Sequence, residues 1–245
     1  MIDFQLLALD LDETLLTKGK AITEENKYWI EQAEKAGVTV IFATGRGLKR
    51  VEEYRKELDL HTPMVLTNGA EIWKKPGELL KRYYIKQEEL KKIHQLAKET
   101  RASYWGYNNE SLVGHKNWTD NMYKLNWLKF GIRHQDEQMI NYLRTEISKI
   151  PGVTMTSSAP DNIEVSAAGV SKRTGVQAIC DYLQLSLQDV MAIGDNFNDY
   201  ELIKAAGLGV AMNNGEEELK KVADKQTKSN EENGVAYAIQ HYLLR

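Results

Sequence analysis

Short apolar runs separated by helical stretches constrain this chain most. Phe4–Leu9, Val38–Ala43 and Met64–Leu66 are each of strand length and too short for a buried helix. Between the first two, Thr23 has the chemistry of an N-cap. Glu24 and Glu25 follow where acidic groups favour a helix start, and Gly37 suits the stop. A charged helix then leads to about Leu58, before the third run. Strand, helix, strand, helix, strand is the order of a parallel sheet with right-handed crossovers. The alternation resumes near Gly169. Ser171 would cap a helix through Leu183, Val190–Ile193 is a strand, a helix runs to Ala206, and Leu208–Met212 is another strand. A last helix covers about Val235 to Leu244.

The middle of the chain breaks this rhythm. A helix over Gln87–Thr100 precedes two short strands, Ser103–Tyr107 and Ser111–His115, around Asn108 and Asn109. A second helix over Asp136–Ile150 precedes strands at Val153–Thr156 and Asn162–Val165. Helices interleaved with hairpin-like strands predict a small α+β unit with an antiparallel sheet. Trp105, Trp118 and Trp127 fall inside it, where core packing is the expected role and a pocket lining the alternative. The expected fold is an α/β Rossmann-like parallel-sheet core split by an insert. Its segments are 1–82 for the first part of the core, 83–168 for the insert and 169–245 for the second part.

Composition narrows function by exclusion. The formal net charge is -3, with acidic and basic residues interspersed, so no basic stripe is offered to nucleic acid. No apolar run approaches membrane-spanning length, and the first residues lack the basic start and apolar stretch of a signal peptide. Cytoplasmic is therefore the expected location. Cys180 is the only cysteine and sits in an apolar helical pattern, as a small buried hydrophobe would.

Chemistry-bearing residues gather where the predicted strands end. Asp10 and Asp12 follow the first run, and on an extended strand they would share a face. Two anions that close need a cation or a proton between them, and carboxylate oxygens suit a divalent metal; a polar strand end reads equally well at this point. Thr44-Gly45-Arg46 follows the second run and Gly194-Asp195-Asn196-Phe197-Asn198-Asp199 a later one. The carboxyl edge of a parallel sheet is where ligands bind. Asp195 could complete a metal site with Asp10, and Asp199 could support it from behind. Thr44 supplies a hydroxyl, Gly45 a close-approaching N–H and Asn198 neutral donors, all suited to a phosphate. Arg46 and Asn68 are placed toward the same edge, with a substrate or a structural role.

Asp10-Leu11-Asp12-Glu13-Thr14, Thr44-Gly45-Arg46, Lys172 in Val170-Ser171-Lys172-Arg173, and Gly194 to Asp199 together resemble the four motifs of the haloacid dehalogenase superfamily, in its order. The insert resembles the type IIB (C2B) cap of the Cof-like phosphatases. The resemblance implies Asp10 as nucleophile, forming an aspartyl-phosphate, and Asp12 as general acid and then base. It implies Mg²⁺ held by Asp10, Asp195 and the backbone carbonyl of Asp12, with Asp199 in support. Leu11, Thr44, Gly45, Arg46, Lys172 and Asn198 would hold the phosphate or substrate. Two positions depart from the relatives: Glu13 and Arg173 stand where glycine is common. His115, Trp118, Asp120 and Asn121 are the candidate cap contacts. The implied activity is Mg²⁺-dependent hydrolysis of small phosphorylated metabolites such as sugar phosphates. A phosphomutase is the neighbouring chemistry. A phospho-receiver domain is much shorter, and lacks both the insert and a proton-moving Asp two residues after the nucleophile. Oligomeric state is not legible in the chain.

Overall fold

A computed structural model describes residues 3–108 and 110–244; Asn109, named above at a turn, lies outside them. The chain forms two compact units, Met1–Leu80 with Lys172–Arg245, and Lys81–Ser171.

In the first unit, β1 is Leu6–Leu9, and all four of its residues are fully buried. Burial on both faces is what a central parallel strand requires. The period-2 alternation divides them: Leu7 and Leu9 join one apolar cluster, Leu6 and Ala8 the other. Helix α1 (Glu24–Lys35) starts at Thr23, whose side chain accepts from the Asn26 N–H, and Gly37 follows it at φ 89°. Its Ile30 and Ala33 enter the first cluster. Strand β2 (Thr39–Ala43), helix α2 (Glu52–Glu57) and strand β3 (Met64–Leu66) follow.

The chain then departs from expectation. β4 (Glu71–Lys75) pairs antiparallel with β3, and β5 (Glu78–Arg82) lies beside β4. Glu71-Ile72-Trp73-Lys74-Lys75 is half polar, which hides a strand at a sheet margin from a search for apolar runs.

The second unit begins with α3 (Gln87–Glu99), β6 (Ser103–Tyr107) and β7 (Leu112–Gly114). Next come β8 (Lys129–Arg133), α4 (Glu137–Ser148), β9 (Val153–Thr156) and β10 (Asn162–Ala167). The sheet order is β7-β6-β8-β10-β9, and its neighbouring strands pair antiparallel. Strand β8 is central yet was not expected, because Gly131 breaks its apolar alternation. The structure explains that glycine: a Cβ there would stand 2.1 Å from Cε2 of Trp105. Phe130 and Ile132 point the other way, into a core shared with Ile93 of α3 and Leu143 of α4. Trp127 is fully buried in that core, and Trp118 stacks on it at 4.8 Å between centroids.

The chain returns to the first unit through α5 (Lys172–Leu183), β11 (Val190–Gly194), α6 (Tyr200–Ala205) and β12 (Leu208–Ala211). It ends with α7 (Glu217–Val222), β13 (Lys225–Gln226) and α8 (Gly234–Ala238), which continues as a π-helix over Ile239–Leu243. Val176, Ile179 and Cys180 of α5 cover the face of the sheet opposite α1. Burial pushes the Cys180 thiol up to about 11, in keeping with an inert hydrophobe. The sheet runs β13-β12-β11-β1-β2-β3-β4-β5, parallel from β13 to β3. The chain leaves β1 toward β2 on one side and returns to β11 on the other. That reversal opens a crevice at the carboxyl ends of β1 and β11. Among the described residues, no helix is long and apolar enough to cross a membrane.

Candidate active site

Strand β1 stops at Leu9, so Asp10 follows it and the chain turns at once. The N–H groups of Thr14 and Leu16 both donate to the Leu11 carbonyl, and Glu13 sits at φ 58°. The strand face that Asp10 and Asp12 were expected to share does not form, because β1 ends before both residues and a turn begins at Leu11. Asp10 is buried, whereas the Asp12 side chain is 41% exposed.

Lys172, the first residue of α5, has no solvent exposure. Its Nζ donates to Asp10 Oδ1 and to Asp199 Oδ1, each at 2.7 Å. Asp195, just past β11, accepts from the Thr14 hydroxyl at 2.7 Å. The other oxygen of Asp199 accepts from the N–H groups of Asp195 and Asn196. Gly194 makes that fold-back possible, since a Cβ there would lie 2.4 Å from Asp199 Cγ. The Leu11 side chain is core, and its backbone N–H donates to the Asp10 carboxylate.

Three buried carboxylates, Asp10, Asp195 and Asp199, bring oxygens within 4.8 Å of one another. Burial pushes Asp10 up to about 6; Lys172 pulls against this and Asp199 adds to it. Asp195 is raised well above the carboxylate range by burial, then by the charges of Asp10 and Asp199. Burial alone would favour neutral Lys172, but Asp10 and Asp199 outweigh it and hold the ammonium above its ordinary value. One cation against three carboxylates leaves negative charge concentrated on oxygen donors, which suits a hard divalent ion. The residues present fit such a cation.

Asp12 is held differently. Arg46 donates to both of its oxygens at 2.7 Å, and Lys20 Nζ adds a third contact at 2.9 Å. Burial opposes the charge, but these hydrogen bonds keep Asp12 below the usual carboxylate range. The Arg46 guanidinium in turn lies 5.0 Å from the centroid of the Tyr54 ring. Arg46 thus meets the proton-moving candidate. Lys20 was missed: a lysine in a polar loop carries no sequence signal, and only the Thr17–Ala21 turn brings it back to Asp12.

Thr44 is buried, with its hydroxyl accepting from the Arg46 N–H. Asn198 Nδ2 donates to Asn68 Oδ1 at 3.2 Å, while Asn198 Oδ1 is buried without a hydrogen-bond partner. Arg173 is exposed. In the insert, His115, Asp120 and Asn121 are exposed, whereas Trp118 packs against the insert's core.

The family profile described as haloacid dehalogenase-like hydrolase matches residues 7–126 and 115–239. The 5-amino-6-(5-phospho-D-ribitylamino)uracil phosphatase YcsE of Bacillus subtilis is 35% identical over 243 residues, 99% of this chain and 97% of that protein. YitU of the same organism, named for the same activity, is 30% identical over 97% of each chain. Among solved structures, a haloacid dehalogenase-like hydrolase from B. subtilis superposes with a TM-score of 0.92 at 24% identity, over 98% of this chain and 100% of that one. The subclass IIB sugar phosphatase BT4131 does so at 0.86 and 20% identity, over 97% and 98%. A parallel core with an antiparallel insert, matched along nearly its whole length, makes this chain a member of the haloacid dehalogenase-like hydrolases, a phosphatase with the subclass IIB fold.

Proposed function

We propose that the chain is a Mg²⁺-dependent hydrolase of small phosphomonoesters, working through an aspartyl-phosphate at Asp10. The observation that carries this is Lys172 Nζ, buried at 2.7 Å from both Asp10 and Asp199, beside Asp195. An anionic nucleophile can approach an anionic ester only where positive charge is fixed in place.

In the first step an Asp10 oxygen bonds to phosphorus as the bond to the leaving oxygen breaks, and Asp12 gives that oxygen a proton. In the second, Asp12 takes a proton from the water that attacks phosphorus, and Asp10 is released. Asp12 as held by Arg46 and Lys20 is ionised, the form its second role needs. Donating a proton first requires that one of those contacts loosen. Lys172 neutralises charge on the transferring group, with Thr44, Asn198 and the N–H groups of Leu11 and Gly45 around it. Mg²⁺, held by Asp10, Asp195 and the Asp12 carbonyl with Asp199 behind, would supply charge neutralisation and a template for in-line geometry.

The substrate class is small phosphorylated metabolites, sugar phosphates included. The activity named for YcsE and YitU puts a phosphorylated ribitylamino compound among the first to test. The experiment is phosphate release across a panel of phosphomonoesters, with and without Mg²⁺. Turnover of several small esters, abolished by chelation, is expected. No release from any of them, or isomerisation of monophosphates primed by bisphosphorylated sugars, would overturn hydrolysis.

A further inference from the structure

After β3 the backbone does something costly. Thr67, Asn68 and Gly69 all lie in the left-handed region, at φ 53°, 56° and 99°. Asparagine and glycine tolerate that conformation; a β-branched threonine is a true outlier there. Strain of this kind persists only where the surroundings impose it, and it concentrates at functional sites.

The surroundings are the phosphate loops. The Thr67 N–H donates to the Arg46 carbonyl and the Asn68 N–H to the Thr44 carbonyl, tying the turn to the loop after β2. The Asn68 side chain reaches the loop after β11, where its Oδ1 accepts from Asn198 Nδ2. Gly45 leaves room for it, since a Cβ there would stand 2.9 Å from Asn68 Oδ1. Helix α5, which carries Lys172, closes on the same turn through Gly175, whose absent Cβ would meet Gly69 Cα at 3.2 Å.

We infer that Asn68 is a positioning residue: the left-handed turn places its Oδ1 so that the Asn198 amide presents its second N–H to the transferring phosphoryl group. The inference rests on the reading of Asn198 as a phosphate-holding residue. With one N–H of Asn198 on Asn68, the amide cannot rotate its oxygen into that place, because two acceptors would then face each other. The buried, unpartnered Asn198 Oδ1 shows that the amide is not held from its other side. Among the described residues, Asn68 alone sets which edge faces the phosphate.

The test is a double-mutant cycle in the full-length protein with Mg²⁺ and p-nitrophenyl phosphate. Asn68→Gly keeps the backbone conformation and removes the amide. It is expected to lower kcat about tenfold, leave KM within about twofold and weaken inhibition by orthovanadate about tenfold. Asn198→Ala is expected to lower kcat by about a hundredfold, and adding Asn68→Gly to it should change nothing further. Asn68→Asp, which suits the same backbone and keeps an acceptor for Asn198, should turn over faster than the glycine variant, and Asn68→Ala takes the glycine variant's place in the cycle if that protein does not fold. Equal losses from Asn68→Gly with and without the Asn198 amide would overturn the inference, as would an unchanged kcat. Wild-type kcat in Asn198→Ala would instead overturn the reading of Asn198, and the inference with it.

Discussion

Lys172 shows how much one side chain depends on its placement. In the sequence it is a lysine in the first turn of a helix, normally a solvated one. Only its order among the other motifs marked it, since burial between Asp10 and Asp199 is a tertiary fact. Removing it as Lys172→Met leaves buried carboxylates without their cation. The expected loss is about 3–5 kcal/mol in urea unfolding of the metal-free protein, where a surface lysine would lose under about 1 kcal/mol. Glu13 is the reverse case. Its φ of 58° suits glycine, and its side-chain contacts are with Lys20 at 3.5 Å and Asn230 at 3.5 Å. Glu13→Gly should therefore relieve about 1 kcal/mol of backbone strain and raise the melting midpoint by about 2–4 °C in a calorimetric scan. An unchanged or lower midpoint would show that those contacts outweigh the strain.

Elements buried on both faces were legible as apolar runs; β1, β2, β3 and β12 fall within them, and β11 extends past its run by Gly194. Helix α1 was legible through Thr23 and Gly37, because caps are local chemistry. Strands β4, β5, β8 and β13 were not, for two reasons. The margin of a sheet needs few apolar residues, and β8 trades one for Gly131 to seat an indole. Gly131→Ala should therefore cost about 1–3 kcal/mol through overpacking against Trp105, read as a lowered urea midpoint. The insert's core also carries a pH dependence. His94 is buried among Tyr104, Trp118 and Tyr123, and burial with the nearby Lys98 lowers it from 6.5 to about 4, against Asp120. Between those two values the unfolded chain binds a proton that the folded one refuses. Stability is then lost as pH falls through that window. Wild type should lose more stability between about pH 7 and about pH 5 than His94→Phe does; equal losses would remove His94 from the account.

For the molecule as a whole, the reversal of chain direction about β1 gathers residues from four distant segments at one crevice. The motifs were readable one by one; which of them touch was not. Asp12 meeting Arg46 and Lys20, and Asn198 meeting Asn68, are products of that convergence. The charge gathered there gives a test independent of turnover. Mg²⁺ should raise the melting midpoint by relieving repulsion among Asp10, Asp195 and Asp199, and Asp195→Asn should shrink that shift. A shift of equal size in the variant would place the ion elsewhere.

The covalent step at Asp10 is tested most directly by trapping it. The protein is quenched in acid during turnover of p-nitrophenyl phosphate with Mg²⁺, reduced with borohydride and digested for mass spectrometry. Borohydride reduces an acyl phosphate to the alcohol, so the peptide holding Asp10 should carry homoserine at that position. The product should vanish when substrate is omitted. An unreduced Asp10 in protein caught releasing phosphate at full rate would contradict the account.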